Sequence, residues 1–161
     1  MSEFFERMVE VVQRNQGMVD KFTGDGMMVM FGAPVEDLQH ERHAVISAIE
    51  MQEELRGLRA KWEAQGRQGF RMGIGINSGS AVVGNIGSQA HMEYTAMGDA
   101  VNLAARLQTA TKEFDTEILI SKATYDAVQT SLDGQPLGEL QVKGRLQAVE
   151  VYCVKGALLS R

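Results

Sequence analysis

The sequence contains little cysteine and no long apolar run, which are features that identify disulfide-bonded and membrane-spanning proteins. Cys153 is the only cysteine among 161 residues, so no disulfide can form within the chain and a reducing compartment is expected. No apolar run approaches the roughly 20 residues that a membrane-spanning helix needs, and the first residues are acidic where a signal peptide is basic. We therefore expect a cytoplasmic location and no contact with a membrane.

Positive charge is also scarce, because 16 Lys and Arg residues stand against 21 Asp and Glu residues. A net charge of −5 argues against a protein that binds nucleic acid by neutralising its phosphates. Hydrophobic residues nevertheless make up 44% of the chain, which is enough for a packed core. A chain of this length without repeats or linkers predicts one domain that covers residues 1–161.

Helical and extended patterns alternate along the chain. Apolar residues recur at helical spacing in residues 3–15, 40–64 and 100–112, and Asp99 stands before the last of these as a preferred N-cap residue. A hairpin is predicted around the Asp25-Gly26 turn. Further strands are predicted at 70–79 and 80–88, as a second pair, and at 117–121, 139–143 and 149–154, with a short helix over 122–132. The alternation favours helices packed on a mixed sheet.

Four polar residues are candidates for chemistry, and each also has an ordinary structural explanation. Asp25 lies in a Thr-Gly-Asp-Gly stretch, where aspartate commonly stabilises a turn, and Lys21 is a single lysine beside a strand. Asn102 and Arg106 lie one helical turn apart and share a helix face. That face fits a solvated surface as well as an anion site, so local sequence leaves both interpretations open.

Other motifs are excluded by their spacing. The glycines lack the Lys-Ser/Thr of a P-loop and the spacing of a dinucleotide fingerprint. His40 and His43 lack the further ligands that a zinc site needs. The sequence therefore predicts neither a P-loop, nor a dinucleotide-binding loop, nor a zinc centre.

Two longer strings are more specific than any single glycine: DKFTGDG at 20–26 and YTAMGDAVNLAARL at 94–107. With the segments around them, they resemble the catalytic domain of class III nucleotidyl cyclases over nearly the whole chain. The resemblance implies an α+β fold, a ferredoxin-like sandwich whose helices pack on a mixed, mostly antiparallel sheet. It also implies conversion of a nucleoside triphosphate to its 3′,5′-cyclic monophosphate between two antiparallel chains, and hence a homodimer.

The resemblance assigns roles by position. Asp25 falls at the second of the family's two metal-binding aspartates, which implies Mg²⁺ or Mn²⁺ as cofactor. Lys21 and Thr95 fall at the purine-reading pair, in a form that resembles the ATP-selective one, since adenine N1 accepts a hydrogen bond from an ammonium group. ATP is the implied substrate.

The phosphate-binding roles follow in the same way. Asn102 and Arg106 match the family's pair that orients the ribose and stabilises the α-phosphate in the transition state. Lys143, with Arg145 beside it, falls where the family keeps a base that binds the triphosphate.

One family motif is not found in these 161 residues. The first metal aspartate of the family lies in a Phe-x-Asp-Ile-x-Gly-Phe-Thr-like strand. We therefore expect a truncated cyclase domain without the family's first strand, with regulatory domains upstream in a longer parent protein. With one metal carboxylate, the polypeptide is expected to be weakly active or inactive.

Two alternatives stay open at this point. A non-catalytic cyclase-like module would bind ATP or dimerise to regulate attached domains. A sheet-based RNA-binding domain of similar topology would need stacking aromatics on its central strands, whereas the stretches 27–32 and 72–79 contain one phenylalanine between them.

Overall fold

The structure, a computed structural model, describes residues 1–155. The last six positions of the predicted domain, 156–161, lie outside the described residues. The helices are α1 (Ser2–Arg14), α2 (His40–Ala64), α3 (Asp99–Ala110) and α4 (Lys122–Val128). The strands are β1 (Gly17–Thr23), β2 (Gly26–Phe31), β3 (Ile74–Ile76), β4 (Val82–Ser88), β5 (His91–Met97), β6 (Ile118–Ser121), β7 (Gly134–Leu140) and β8 (Val149–Val154).

The strands form one four-stranded sheet and two hairpins. The larger sheet has the order β3-β6-β8-β7, and the hairpins are β1-β2 and β4-β5. Strands β3 and β6 are parallel, and every other described pair is antiparallel. The predicted α+β class with a mixed, mostly antiparallel sheet is confirmed. Whether a family strand is missing stays a prediction.

Helices α1 and α2 cover the β1-β2 hairpin. Phe4 and Met8 of α1 pack with Leu55 and Trp62 of α2, and Val29 of β2 lies against them. The apolar side chains that recur at helical spacing in residues 3–15 and 40–64 thus form the contact between the two helices. Among residues 1–155, no helix is both long enough and apolar enough to span a membrane.

Helix α3 packs on the larger sheet through one apolar face. Leu103 and Leu107 are buried with Leu119 of β6 and Val151 of β8. The opposite face of the helix is therefore left toward solvent.

The predicted pairing of residues 70–79 with 80–88 is wrong. Residues 74–76 form β3 and pair in parallel with β6, 44 positions along the chain from Ile74 to Ile118. Residues 82–88 form β4 and pair with β5 instead. The physical reason is proximity, because two residues, 89–90, close β4 and β5 into a local hairpin.

Two boundaries also differ from the prediction. The N-cap of α3 is Gly98, which takes a φ of 134° and makes no side-chain cap. Asp99 is instead the first helical residue, and its carboxylate lies 3.2 Å from Arg145 Nη1. The strand predicted at 139–143 is β7, which ends at Leu140; it accommodates Pro136 because it lies at the sheet edge and carries a bulge.

Candidate functional site

Asp20 connects the two strands that carry Lys21 and Thr95. Its side chain is 1% exposed and accepts hydrogen bonds from the Thr95 hydroxyl at 2.6 Å and from the Ala96 backbone N–H at 3.3 Å. Lys21 Nζ lies 4.0 Å from the other Asp20 oxygen and 3.7 Å from Glu93 Oε2. Asp20 thus links Lys21 and Thr95 where β1 meets β5.

A β-bulge explains how two consecutive residues of β1 reach the same neighbour. Val19 is opposite Val29 and Lys21 is opposite Met28, so Asp20 is an extra residue on its strand. In a regular strand, adjacent side chains point to opposite faces. A bulge re-aims the inserted side chain, and here both Asp20 and Lys21 contact residues of β5.

Asn102 and Arg106 lie one helical turn apart on the flank of α3, beside the face that carries its buried leucines. Asn102 is exposed, and the Arg106 side chain is 33% exposed. Arg106 Nη1 donates a hydrogen bond to Glu113 Oε1 at 2.9 Å. The amide and the guanidinium are therefore accessible from outside one chain, which is the placement needed for a site completed by a second chain.

Helix α3 is held in position by close backbone packing and by a polar network. Gly75 of β3 lies against α3, since a Cβ at this position would meet the Gln108 backbone nitrogen and lie 2.7 Å from the Ala104 carbonyl oxygen. Asn77 Nδ2 donates to the Ala100 carbonyl at 2.9 Å, and the Ser121 hydroxyl donates to Asn77 Oδ1 at 2.7 Å. These contacts fix the helix that presents Asn102 and Arg106.

The two bases predicted to bind the triphosphate lie in the segment between β7 and β8. Lys143 and Arg145 are both exposed, and Arg145 pairs with Asp99 at the start of α3. That ion pair ties the segment to the helix of Asn102 and Arg106. The structure therefore links Arg145, more directly than Lys143, to the candidate phosphate-binding helix.

Asp25 lies in the turn between β1 and β2 and is exposed. Within residues 1–155, no group of three or more His, Cys, Asp or Glu side chains could hold a metal ion. A divalent cation such as Mg²⁺ takes several oxygen ligands, so the residues of a single chain do not fit a complete metal site.

Sequence reasoning missed Asp20 and Glu113. Asp20 stands between Val19 and Lys21 in a strand, and an acid within an apolar strand is a signal of a satisfied buried carboxylate. Glu113 follows Arg106 by seven positions and lies in the turn after α3, which ends at Ala110. The acid at position 20 is visible in the sequence, but Thr95, the partner of Asp20, lies 75 positions further along the chain.

With this geometry established, comparison with known proteins identifies the family. The chain belongs to the adenylate and guanylate cyclase catalytic domain family, whose model matches residues 1–156. Adenylate cyclase 1 of Rhizobium meliloti (strain 1021) is 37% identical over 158 residues, which is 98% of this chain and 24% of that protein. The terminal-differentiation specific adenylate cyclase of Dictyostelium discoideum is 37% identical over 145 residues, 84% of this chain and 6% of that protein. The chain thus spans about a quarter or less of these relatives.

Solved structures show the same fold. The adenylyl cyclase CyaB from P. aeruginosa superposes with a TM-score of 0.90 at 34% identity and covers 97% of this chain and 80% of its own. The guanylyl cyclase Cya2 superposes with a TM-score of 0.84 at 35% identity, over 96% of this chain and 77% of its own. The two neighbours use different purines at similar identity, so the choice of nucleotide has to be argued from the site residues.

Proposed function

We propose that this catalytic domain, residues 1–161, is an adenylate cyclase that converts ATP to 3′,5′-cyclic AMP and pyrophosphate. The observation that carries the proposal is that Lys21 and Thr95 both contact Asp20 at the junction of β1 and β5. An ammonium group donates to an acceptor, and adenine N1 is an acceptor whereas guanine N1 carries a proton. The pair therefore suits adenine better than guanine.

The reaction is an in-line displacement at the α-phosphorus. The ribose 3′-oxygen forms a bond to this phosphorus, the bond to the bridging oxygen breaks, pyrophosphate leaves and the hydroxyl proton passes to solvent. Asn102 orients the ribose, and Arg106 stabilises the negative charge that grows on the α-phosphate oxygens. Charge stabilisation and positioning supply most of the acceleration in phosphoryl chemistry.

Class III cyclase domains generally use divalent metal ions, and we propose Mg²⁺ or Mn²⁺ here. Such an ion, held by Asp25 together with ligands from outside this chain, would supply positive charge beside the triphosphate. Asp25 is the residue of this chain that we assign to it. Because the chain supplies this one carboxylate, we propose that the 161-residue polypeptide is weakly active or inactive by itself.

A second copy of the chain is the partner that we propose for the exposed face of β4 and β5. Val82 and Met97, which are opposite each other in this hairpin, are 66% and 50% exposed. Contiguous exposed apolar side chains mark interaction surfaces. In an antiparallel dimer, Asp25 of one chain would serve the nucleotide held by Lys21 and Arg106 of the other.

The direct test supplies the purified chain with equal amounts of ATP and GTP, together with Mg²⁺ or Mn²⁺, and quantifies both cyclic products by mass spectrometry. An excess of cyclic AMP supports the proposal, and an excess of cyclic GMP contradicts it. The catalytic domain of the Rhizobium meliloti relative, assayed beside it, is the benchmark for activity. Equal turnover by the two would contradict the weak activity that we propose.

The single assigned metal carboxylate also favours a second candidate function, a non-catalytic module that binds ATP or dimerises to regulate attached domains. Calorimetric titration with ATP, combined with product detection, separates the two. ATP binding without any cyclic product over a long incubation favours the module, whereas measurable cyclic AMP favours the enzyme.

A further inference from the structure

Asp20 is a buried acid that lies next to Lys21 and contacts Thr95. It is a carboxylate that is 1% exposed, and a buried charge is costly unless it is hydrogen-bonded. Its strongest contact is with the Thr95 hydroxyl at 2.6 Å, a length typical of a charge-assisted bond from a hydroxyl to a carboxylate. The second hydroxyl contact, to the Ala96 carbonyl oxygen, is 3.4 Å long and therefore weaker.

This contact decides the chemistry that Thr95 can offer to a ligand. A hydroxyl has one proton and two lone pairs, and an ionised carboxylate can only accept. The Thr95 proton therefore points to Asp20, and the hydroxyl oxygen presents lone pairs to anything else that approaches it. A threonine without this partner could rotate its hydroxyl and either donate or accept.

We propose that Asp20 is a specificity-determining positioning residue, which fixes the Thr95 hydroxyl as an acceptor and thereby selects a purine with an amino group at position 6. Adenine donates from that amino group, whereas guanine has an oxygen there, which cannot donate. The proposal rests on the proposed function, because it deepens the purine choice of the same site. The bulge that inserts Asp20 beside Lys21 is thus a specificity device as well as a structural one.

The principal variant is Asp20→Asn. An amide can donate to the Thr95 oxygen, which frees the hydroxyl proton to point toward the ligand. We expect the preference for ATP over GTP to fall about tenfold, the effect of one hydrogen bond. The change should appear in KM and Kd, with kcat for ATP affected less. Asp20→Glu, which retains the carboxylate, should keep more of the preference than Asp20→Asn.

Binding is measured independently of turnover, by displacement of a fluorescent N-methylanthraniloyl ATP from the chain. The matched control is Glu50→Gln, because Glu50 is 19% exposed and accepts hydrogen bonds from Arg14 and Asn15, which are not residues of the purine pair. Both variants lose a carboxylate that joins two elements and should lower the melting temperature. Only Asp20→Asn should change the nucleotide ratio.

A second measurement needs no variant. Purine riboside triphosphate lacks the amino group at position 6 but keeps the N1 acceptor, so it should bind the unmodified chain about tenfold more weakly than ATP. Equal binding of the two nucleotides overturns the proposal, even if Asp20→Asn does not fold. An unchanged ATP to GTP ratio in a folded Asp20→Asn chain overturns it as well.

The outcomes separate this proposal from the proposed function. If the chain forms no cyclic nucleotide but binds ATP over GTP, and Asp20→Asn lowers that preference, the positioning role of Asp20 stands while the enzymatic proposal fails. If the chain makes cyclic AMP and Asp20→Asn lowers stability alone, the enzyme stands and the role of Asp20 is structural.

Discussion

Arg106 Nη1 donates a hydrogen bond of 2.9 Å to Glu113 Oε1, so the guanidinium assigned to the α-phosphate has an acidic partner in its own chain. Glu113 occupies one of the five N–H donors of this guanidinium and offsets part of its positive charge. A phosphate that binds Arg106 through the remaining donors therefore competes with the carboxylate for that charge. The pair is exposed, with Glu113 at 55%, so this competition is weak in energy but measurable.

The first prediction concerns Glu113. Glu113→Gln removes the charge that competes for Arg106 and should tighten ATP binding by about twofold to fivefold, since an exposed ion pair contributes about 0.2–1 kcal/mol. The measurement is the Kd for ATP by calorimetry at low ionic strength. Glu117→Gln, which removes a similar exposed carboxylate near Arg56, is the control and should leave the Kd unchanged. Weaker binding in Glu113→Gln would contradict the competition.

The second prediction concerns Arg106 itself. Arg106→Ala should lower kcat for cyclic AMP formation by about a hundredfold or more, because one lost contact to the transition-state charge costs roughly 3 kcal/mol. The rate of cyclic AMP formation at saturating ATP, quantified by mass spectrometry over a long incubation, measures it. Arg56→Ala, which removes an exposed arginine of α2, should keep wild-type kcat. A small loss in Arg106→Ala would mean that the guanidinium does not face the reacting phosphate.

The third prediction concerns the support of α3. Gly75→Ala places a methyl group into the backbone of α3 near Ala104, and overpacking of this kind costs about 1–3 kcal/mol. Chemical denaturation measures the loss, and kcat should fall with it because α3 carries Asn102 and Arg106. Gly57→Ala is the matched control, since Gly57 lies inside α2 with nothing within 4 Å of the added carbon. It should be neutral or stabilising by up to about 1 kcal/mol.

The fourth prediction concerns the proposed dimer face. Val82→Asp introduces a charge into the exposed apolar face of the β4-β5 hairpin, where Met97 is its cross-strand neighbour. Burial of an unpaired charge is unfavourable, so the variant should shift the chain toward monomer in sedimentation velocity. Leu38→Asp, at a side chain 87% exposed outside this face, should leave the oligomeric state unchanged. Equal sedimentation of wild type and Val82→Asp would place the interface elsewhere.

The fifth prediction concerns the dependence of stability on pH. A hydrogen bond from His43 and another from the Gln39 backbone N–H lower the pKa of the Asp37 carboxyl below its ordinary value, against the opposing effect of burial. A lowered folded-state pKa contributes stability that is present above the unfolded-state pKa and is lost as the pH falls through the folded-state value. Asp37→Asn should therefore lose stability at about pH 6 and approach wild type at about pH 3.

Urea midpoints at both pH values measure this difference. Glu53→Gln, at an exposed position of α2, is the control and should follow the wild-type curve. A constant gap between wild type and Asp37→Asn across the pH range would show that the carboxylate does not act through its ionisation.

Local sequence determined the elements that are defined by their own periodicity. The apolar spacing in residues 40–64 predicted α2, and its buried face confirms that pattern. The Asp25-Gly26 turn predicted the β1-β2 hairpin, and α3 lies within two residues of its predicted bounds. These features depend on neighbours a few positions away, since helix and strand periods are local. The two specific stretches at 20–26 and 94–107 predicted the cyclase fold through their resemblance to the family.

Only the tertiary structure decided which strands pair and which distant side chains contact each other. Strand β3 pairs with β6 rather than with the stretch that follows it, and Asp99 pairs with Arg145 rather than capping its helix. Local sequence periodicity predicts neither contact, because strand pairing and ion pairs depend on residues that packing brings close together. The bulge at Asp20 and the hydrogen bond that Asp20 accepts from Thr95, 75 positions away, also depend on the fold. The sequence places a carboxylate in a strand, and only the fold supplies the hydroxyl that it binds.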